Sequence, residues 1–343
     1  MFSEVTRRQI QRFRSIRRAW VSLWILALLY IVSLFSEHVA NDRPLLLGYN
    51  GHLFFPTVKF YSGQTFGGPY RTEADYTALR GNPDFKAKGG WMILPLISSD
   101  PLHSHLDLPG NPPQPPSWEH WLGTDNSARD VLARLLYGFR SSMSFALCLA
   151  CIGTFFGIIV GGIQGYAGGK TDILGQRLIE IWSALPFLYV VILLGSIYGQ
   201  GFGILLVVFT LFNWIGLSYY MRGEFFRLKN QAFVQAAQAM GAGHVRIIFR
   251  HILPNALNPV ITLLPFSLVG YISSLTALDF LGFGLPPPAP SWGEMLQEGL
   301  AYLYAPWLAI SAVTALFATL LLASFIGEGA RAAFDPKSSG LIK

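Results

Sequence analysis

The sequence contains few charged residues: they make up 13% of its 343 residues, while 52% are hydrophobic and the mean hydropathy is +0.42. A soluble globular domain carries about 25% charged residues, so the composition excludes that class. A helix that crosses a bilayer needs about 20 apolar residues. We therefore predict an integral membrane protein with its spans in the five stretches that lack any charge: 19–36, 141–169, 181–221, 252–278 and 299–327.

The longest of these stretches, 181–221, exceeds the length of one span and is interrupted by Tyr198-Gly199-Gln200-Gly201. We interpret it as two helices joined by a tight turn. The predicted fold class is an all-α membrane protein with six transmembrane helices. Its parts are a basic tail at 1–18, a first helix at 19–36, an outer segment at 37–140 that ends in an amphipathic helix, a five-helix core at 141–327 and a tail at 328–343.

Lysine and arginine are unevenly distributed among the predicted loops. Six arginines precede the first helix and five basic residues lie between the fourth and fifth helices, whereas 279–298 has none. Cytoplasmic loops carry the excess of positive charge, so both termini are predicted to be cytoplasmic. The net charge of +6 then reflects topology and does not indicate nucleic acid. No small-x-small cleavage site follows the first helix, which we expect to be retained.

Residues that several functional classes require are missing. The uncharged stretches hold no acidic, basic or histidine residue, which is evidence against coupling to protons or sodium within this chain. Gly169-Lys170-Thr171 mimics the end of a phosphate-binding loop, but Gln164 stands where that loop needs a glycine. We therefore expect no nucleotide site here, and any ATP hydrolysis belongs to another chain.

Metal and redox sites are also not expected. Cys148 and Cys151 are the only cysteines and have the spacing of a redox or metal pair. They lie one turn apart within a predicted span, with no histidine or acidic residue nearby in the sequence, so we expect them to serve packing. His103 and His105 lie near aspartates in the outer segment, where we expect a solvated polar loop.

The outer segment is rich in glycine, proline and aromatic residues, and we expect short strands and loops there. The prolines of 112–116 favour an extended spacer. Ser127 with Asp130 three residues later resembles a capping box. Val131, Leu132, Leu135 and Leu136 then share one helical face, and the charged residues lie away from it, which predicts an interfacial amphipathic helix. Those charged residues are Arg129, Asp130 and Arg134.

Glycines and prolines within the spans leave alternatives open. Glycine recurs every four residues along one helical face, which lets a neighbouring helix approach closely. That face either slides against a partner subunit or packs permanently within this chain. Prolines interrupt the third and fifth spans, as static kinks or as hinges. The glycines are Gly153, Gly157, Gly161, Gly165 and Gly169, and the prolines are Pro186, Pro259 and Pro265.

The long basic loop at 222–256 has the features of a docking site for a cytoplasmic partner. Its alanines present little bulk, so a short helix can enter a groove, and two glycines permit the turn that follows. Arg246 and Arg250 can pair with acidic groups of the partner or with lipid headgroups. Pro254 is expected to end the second helix where the fifth span begins. The small residues are Ala236, Ala237, Ala239, Gly241 and Gly243.

This loop resembles the coupling loop of ABC-importer permeases in Gln235-Ala236-Ala237, Gly241 and Leu253-Pro254, with Gln235 in place of the usual Glu. Further segments resemble the dipeptide and oligopeptide permeases, and the long aromatic segment is similar to the Yej-type subgroup, which imports peptides and peptide antibiotics related to microcin C. Trp121 and Ala128 depart from the usual Pro and Gly. The similar segments are 120–138, 280–284, Ser291-Trp292-Gly293 and Phe334-Asp335-Pro336.

The resemblance implies a type I importer permease that acts as one half of a channel in the bacterial inner membrane. It implies as partners a second permease, an ATPase with two nucleotide-binding domains that binds ATP and Mg, a periplasmic peptide-binding protein and lipid. A stand-alone secondary transporter or channel is the alternative. The resemblance further implies a periplasmic gate or binding-protein contact at Gly123, Thr124, Asp125, Arg129, Asp130, Gly282, Gly284, Ser291 and Trp292.

Overall fold

The computed structural model describes residues 4–106, 108 and 110–334. Asp335 and Pro336 of the C-terminal motif lie outside the described residues. The chain divides into two compact units, which we call the helical unit and the mixed unit. The helical unit comprises Met1–Ala27, Ser142–Pro286 and Phe317–Lys343, and the mixed unit comprises Leu28–Ser141 and Pro287–Leu316.

Helices dominate the described residues. In chain order they are α1 Glu4–Ser15, α2 Arg17–Leu34, α3 Ser36–Val39, α4 Tyr76–Gly81, α5 Pro83–Ala87, α6 Val131–Ala167, α7 Gly169–Ser183, α8 Phe187–Tyr198, α9 Phe202–Lys229, α10 Ala232–Ala239, α11 His244–Arg246, α12 Leu253–Phe280, α13 Trp292–Ala301 and α14 Pro306–Phe334. A π-helical turn, Ile247–Ile252, joins α11 to α12. A 3₁₀ turn lies at Gly63–Phe66.

Five helical segments among the described residues are long and apolar enough to cross a membrane: α2, α6, α9, His244–Phe280 and α14. A sixth span exists if α7 and α8 count together, because they are bent by 68° at a short break. Pro186 precedes α8 at that break, as the prediction of an interrupted third span requires. The predicted tight turn after Tyr198 is confirmed between α8 and α9.

The prolines of the fifth span do not break it. Pro259 and Pro265 lie inside α12, which continues past both. An interior proline lacks the N–H of one backbone bond and can bend the helix, so the choice between a static kink and a hinge stays open. Pro254 does not end a helix either, because it lies in the first turn of α12, where a missing N–H is tolerated.

The mixed unit contains a three-stranded antiparallel sheet, which confirms the short strands expected in the outer segment and adds a small β part to the mostly helical fold. The strands are β1 Leu46–Tyr49, β2 His52–Phe54 and β3 Trp91–Ile93, in the order β2-β1-β3. Leu47 pairs with Phe54 on one side and with Met92 on the other. Asn50 and Gly51 form the two-residue turn between β1 and β2, both with positive φ. This is the sequence signal for a tight hairpin, and the sequence analysis missed it.

The glycine stripe of α6 packs against α9 within the helical unit, which decides between the two interpretations left open. A Cβ at Gly161 would lie 2.2 Å from the Ser218 carbonyl oxygen, and one at Gly165 would lie 2.3 Å from that of Arg222. A Cβ at Gly157 would lie 2.9 Å from Leu217. At Gly153 the nearest atom is 3.7 Å away, an ordinary contact. The missing side chain therefore permits close approach to the backbone of α9 at Gly161 and Gly165, and to the Leu217 side chain at Gly157. Gly169, the fifth glycine of the predicted stripe, lies in α7, where a Cβ would have no neighbour within 4 Å.

The start of α6 also differs from the prediction. Ser127 does not cap the helix; its hydroxyl bonds to the Asn126 side chain. Asp130 takes that role by accepting from the Ala133 N–H at 2.8 Å. Arg134 is fully buried, so α6 does not begin as an interfacial helix with a solvated charged face.

Candidate functional site

We call residues 230–252 the coupling segment. It follows α9 and contains α10, a turn, α11 and the π-helical turn. The side-chain amide of Gln235 donates to the Asn230 carbonyl at 3.3 Å. After α10 the N–H of Ala242 donates to the carbonyl of Ala237, and the N–H of Gly241 donates to that of Gln238. This is a Schellman motif, which requires a left-handed residue at its C′ position. Gly241 supplies it with φ of +83°.

The helix α10 buries one side against its own chain. Val234 is 0% exposed and Ala237 is 2% exposed, and Val234 packs in a core that includes residues of α9 and α12. Ala237 was predicted to present a small surface to a partner, and that was wrong, because the alanine fills an internal contact. Gln235 and Ala236 are exposed, and their contact with a partner stays a prediction.

The coupling segment also carries four exposed apolar side chains, which we call the docking patch. Met240 is 82% exposed, and Val245, Phe249 and Phe233 are exposed at 71, 65 and 43%. Arg246 and Arg250, which are also exposed, lie on the same segment. The apolar members were not predicted, although Met240 directly precedes Gly241 in the motif. Exposed apolar side chains with charged residues nearby in the sequence suit a protein interaction surface.

Polar contacts tie the coupling segment to neighbouring helices of the helical unit. The hydroxyl of Tyr166, near the end of α6, lies 2.7 Å from His244 Nδ1, and its carbonyl accepts from Lys229 Nζ at 3.1 Å. Arg222 of α9 binds both carboxylate oxygens of Asp172 in α7, at 2.5 and 2.6 Å. The end of α9 is thereby held to α6 and α7.

In the mixed unit, two of the predicted gate residues, Asp125 and Arg129, belong to a buried charge cluster. Its other members are Arg134, Glu294 and Glu298. Arg129 Nε donates to Asp125 Oδ2 at 2.7 Å, and Arg134 Nη2 donates to Glu294 Oε2 at 2.5 Å. Arg129 Nη2 also lies 3.4 Å from Glu298 Oε1. Three carboxylates thus share two guanidinium groups, which leaves the cluster with one excess negative charge.

Burial and this charge imbalance raise the pKa of Glu298 from 4.5 to about 7. Desolvation is the largest cause, and the neighbouring Asp125 adds to it, while Arg134 acts in the opposite direction. Glu298 Oε2 and Arg134 Nη1 are buried without a hydrogen-bond partner among the described residues. A proton on Glu298 would bring the cluster to electrical neutrality.

The raised pKa predicts that acid stabilises the folded protein. Because folded Glu298 keeps its proton to a higher pH than the unfolded chain, the contribution is complete below pH 4.5 and is lost as pH rises through about 7. The total loss is at most about 3 kcal/mol. Thermal unfolding of the detergent-solubilised protein across this range would measure it. Glu298→Gln should remove most of the pH dependence, and an unchanged dependence in this variant would contradict the assignment to Glu298.

Six of the nine residues predicted as gate or binding-protein contacts are unavailable at the surface. Each is at most 7% exposed, and their polar groups bind groups of the same unit: Thr124, Asp125, Arg129, Asp130, Ser291 and Trp292. Trp292 Nε1 donates to the Leu135 carbonyl, and Ser291 Oγ caps α13. These side chains therefore pack inside the mixed unit, and the prediction that they contact a binding protein directly is wrong. Their role in a gate stays a prediction.

The three predicted glycines of the gate occupy turns. Gly123 has φ of +74°, and a Cβ there would lie 2.5 Å from the Gln114 carbonyl oxygen. Gly282 is exposed with φ of +79°. A Cβ at Gly284 would collide with Asp279, whose carboxylate accepts from the Leu285 N–H at 2.7 Å. Ala128, one of the departures from the pattern that the sequence resembles, has φ of +59°, a conformation that glycine adopts more readily.

Histidine and cysteine do not form a metal site in the described part of the chain, where no group of three potential ligands was found. His120 Nδ1 lies 2.7 Å from Asp130 Oδ2, and both groups are buried. Cys148 and Cys151 are free and exposed on α6, so the packing expected of them is not made inside this chain and stays a prediction for contact with another helix.

Comparison with known proteins gives consistent matches. The model of the "binding-protein-dependent transport system inner membrane component" family matches residues 153–340. The chain is 44% identical to the inner membrane ABC transporter permease protein YejE of Escherichia coli K12, over 98% of both chains. It is 41% identical to the peptidoglycan transport system permease protein YejE of Agrobacterium fabrum, over 98% of this chain and 94% of that protein.

Two further similarities are more limited. The oligopeptide transport system permease protein OppC of Haemophilus influenzae is 41% identical over 64% of this chain and 70% of its own length. A solved inward-facing structure of the MetNI methionine ABC transporter matches 59% of this chain with 18% identity and a TM-score of 0.49, too weak to support a conclusion. The family model and the full-length relatives decide the assignment: the chain belongs to the family of binding-protein-dependent transport system inner membrane components.

Proposed function

We propose that this chain is one permease subunit of an ATP-driven importer that moves peptides across the bacterial inner membrane. The observation that carries the proposal is the docking patch on the coupling segment, a solvent-exposed apolar surface at the end of long apolar helices. Peptide as the substrate class is supported by the similarity to oligopeptide permeases such as OppC and by the family assignment. The chain carries out no bond chemistry in this proposal.

The proposed assembly has the six-helix, type I importer architecture, with the bent pair α7 and α8 as one span. A second permease completes the channel, an ATPase with two nucleotide-binding domains binds ATP and Mg at the cytoplasmic face, and a periplasmic protein delivers the peptide. Both termini are cytoplasmic, as the distribution of basic residues favours. The segment 37–140 is then periplasmic.

In this mechanism the ATPase moves the permease through α10. Closure of the ATPase dimer pushes on the docking patch, and Val234, which is fully buried, transmits the displacement to the core shared by α9 and α12. Close-packed side chains transmit a push because the interior has little free volume. The bundle responds by exchanging between inward-open and outward-open arrangements.

Met240→Asp is expected to reduce co-purification of the ATPase and peptide uptake by about tenfold, since a charge in a desolvated apolar contact is costly. Purification of the tagged wild-type chain in mild detergent, followed by mass spectrometry, should first identify an ATPase and a second permease. Uptake is then measured in vesicles containing the assembled complex. Met240→Leu keeps an apolar side chain and should behave as the wild type. Full uptake by Met240→Asp, or a wild-type chain that purifies alone, would argue against the proposal.

A further inference from the structure

A groove of about 360 Å³ opens in the helical unit between α6, α9 and α12. This volume is in the range of small-molecule sites, about 300–1,000 Å³. On α9 its lining residues recur at helical spacing as Asn213, Gly216, Leu217 and Tyr220, and on α12 Ser267 and Tyr271 recur in the same way. The groove is therefore built from one face of each of two candidate spans.

The groove lies at the middle of these spans. Gly216 is close to the centre of α9, Phe202–Lys229, and Ser267 is close to the centre of α12, Leu253–Phe280. At that depth a lipid-facing surface is normally apolar, because hydrocarbon cannot satisfy polar groups. Here one face collects an amide, two phenols and two hydroxyls: Asn213, Tyr220, Tyr271, Ser267 and Thr154.

The polar groups of the groove retain hydrogen-bonding capacity after their internal bonds are counted. Asn213 donates through Nδ2 to the Phe209 carbonyl at 3.1 Å, and Ser267 donates through Oγ to the Leu263 carbonyl at 3.3 Å. The amide oxygen of Asn213 remains an acceptor, and so does one lone pair of Ser267 beyond the hydrogen bond that its hydroxyl forms with Tyr271. The lining contains no Asp, Glu, Lys, Arg or His. Such a surface can bind the neutral backbone amides of a peptide and does not distinguish its side chains by charge.

We propose that this groove is a site of contact with the peptide backbone in transit, with Asn213 and Ser267 as hydrogen-bonding residues. The inference rests on the proposed function and adds the part of the chain that contacts the substrate. Leu217, Leu263 and Phe266 alternate with the polar groups and provide apolar contacts for side chains of varied kind. A neutral, mixed surface suits a carrier that accepts many peptide sequences.

Gly216 offers a direct test, because a Cβ there would have no neighbour within 4 Å. Gly216→Trp should fill the groove without displacing this chain and lower uptake of the tripeptide Ala-Ala-Ala by about tenfold or more, while the ATPase still co-purifies. Gly203 is the matched control, a glycine on the same helix that also has no neighbour within 4 Å. Gly203→Trp should transport as the wild type.

A chemical readout keeps the test independent of assembly problems in the tryptophan variant. Cys148→Ala and Cys151→Ala first remove the two exposed native thiols. In that background Gly216→Cys should react with a positively charged thiosulfonate reagent, because a groove on the transport pathway is reached by water. During turnover of the complete complex, Ala-Ala-Ala should slow this labelling and leave labelling of Gly203→Cys unchanged.

The possible results are distinguishable. Loss of uptake in Gly216→Trp alone, with peptide protection of Gly216→Cys, supports the proposal. Absence of labelling at Gly216→Cys means that the groove faces lipid and overturns it. Labelling without protection, or uptake by Gly216→Trp at the wild-type rate, also overturns the proposed peptide contact in the groove. Neither result contradicts the proposed importer function. A wild-type complex that takes up no peptide would overturn the proposed function and the groove together.

Discussion

Gly161→Ala is expected to prevent α6 and α9 from packing as they do in the wild type. The added methyl group would lie 2.2 Å from the Ser218 carbonyl oxygen, well inside van der Waals contact. The obstructing atom belongs to the backbone, so no side-chain rotation relieves the clash. Overpacking of a core costs about 1–3 kcal/mol and sometimes more, and this rigid contact lies at the upper end. The yield of folded protein and its thermal unfolding in detergent would measure the loss.

Gly153→Ala is the matched control on the same stripe. Its Cβ would meet its nearest neighbour at 3.7 Å, and alanine favours a helix over glycine by about 1 kcal/mol, so stability should be unchanged or slightly higher. Equal unfolding temperatures for Gly161→Ala and the wild type would mean that α6 and α9 separate at little cost. The account of the stripe as fixed packing would then be abandoned.

Arg134→Met should destabilise the mixed unit by about 3–5 kcal/mol, because it leaves buried carboxylates without a counter-charge. Arg134 is fully buried and lies within 3.3 Å of Asp125 and 2.5 Å of Glu294. Adding Glu294→Gln to Arg134→Met should recover part of the loss, since one uncompensated charge is then removed. Thermal unfolding of the single and double variants would provide the comparison.

Arg140→Met provides the surface control for this experiment. Arg140 lies on the same helix and pairs with Glu37 at 2.7 Å, but both side chains are substantially exposed. Exposed ion pairs contribute only about 0–1 kcal/mol. If Arg134→Met loses no more stability than Arg140→Met, the charge cluster is solvated in the folded protein.

The membrane class and the spans could be predicted because they depend on composition and local hydrophobicity. Uncharged stretches mark α2, α6, α9, α12 and α14, and the turn at Gly199 is a local signal. The turn at Gly241 could also be predicted, since a Schellman motif depends on a few adjacent residues. The hairpin at Asn50-Gly51 carried an equally local signal, so its omission was avoidable.

The remaining errors concern residues whose partners are distant in the sequence. Helical periodicity places Arg134 away from the apolar face of α6, but its partner Glu294 lies 160 residues later and makes that face an interior. Ala237 was predicted to be exposed because its small size suits a docking helix, but small residues suit internal contacts equally well. Local patterns specify which residues share a face and leave open what covers it.

The close contact between α6 and α9 has a mechanical consequence. At Gly161 and Gly165, one helical turn apart, an added Cβ would lie 2.2 and 2.3 Å from backbone carbonyl oxygens of α9. Sliding of one helix along the other would bring these backbones into collision, because a packed interior has little free volume. We therefore expect this part of α6 and α9 to move as one rigid body. Bending during transport must then occur elsewhere, for example at the 68° bend between α7 and α8.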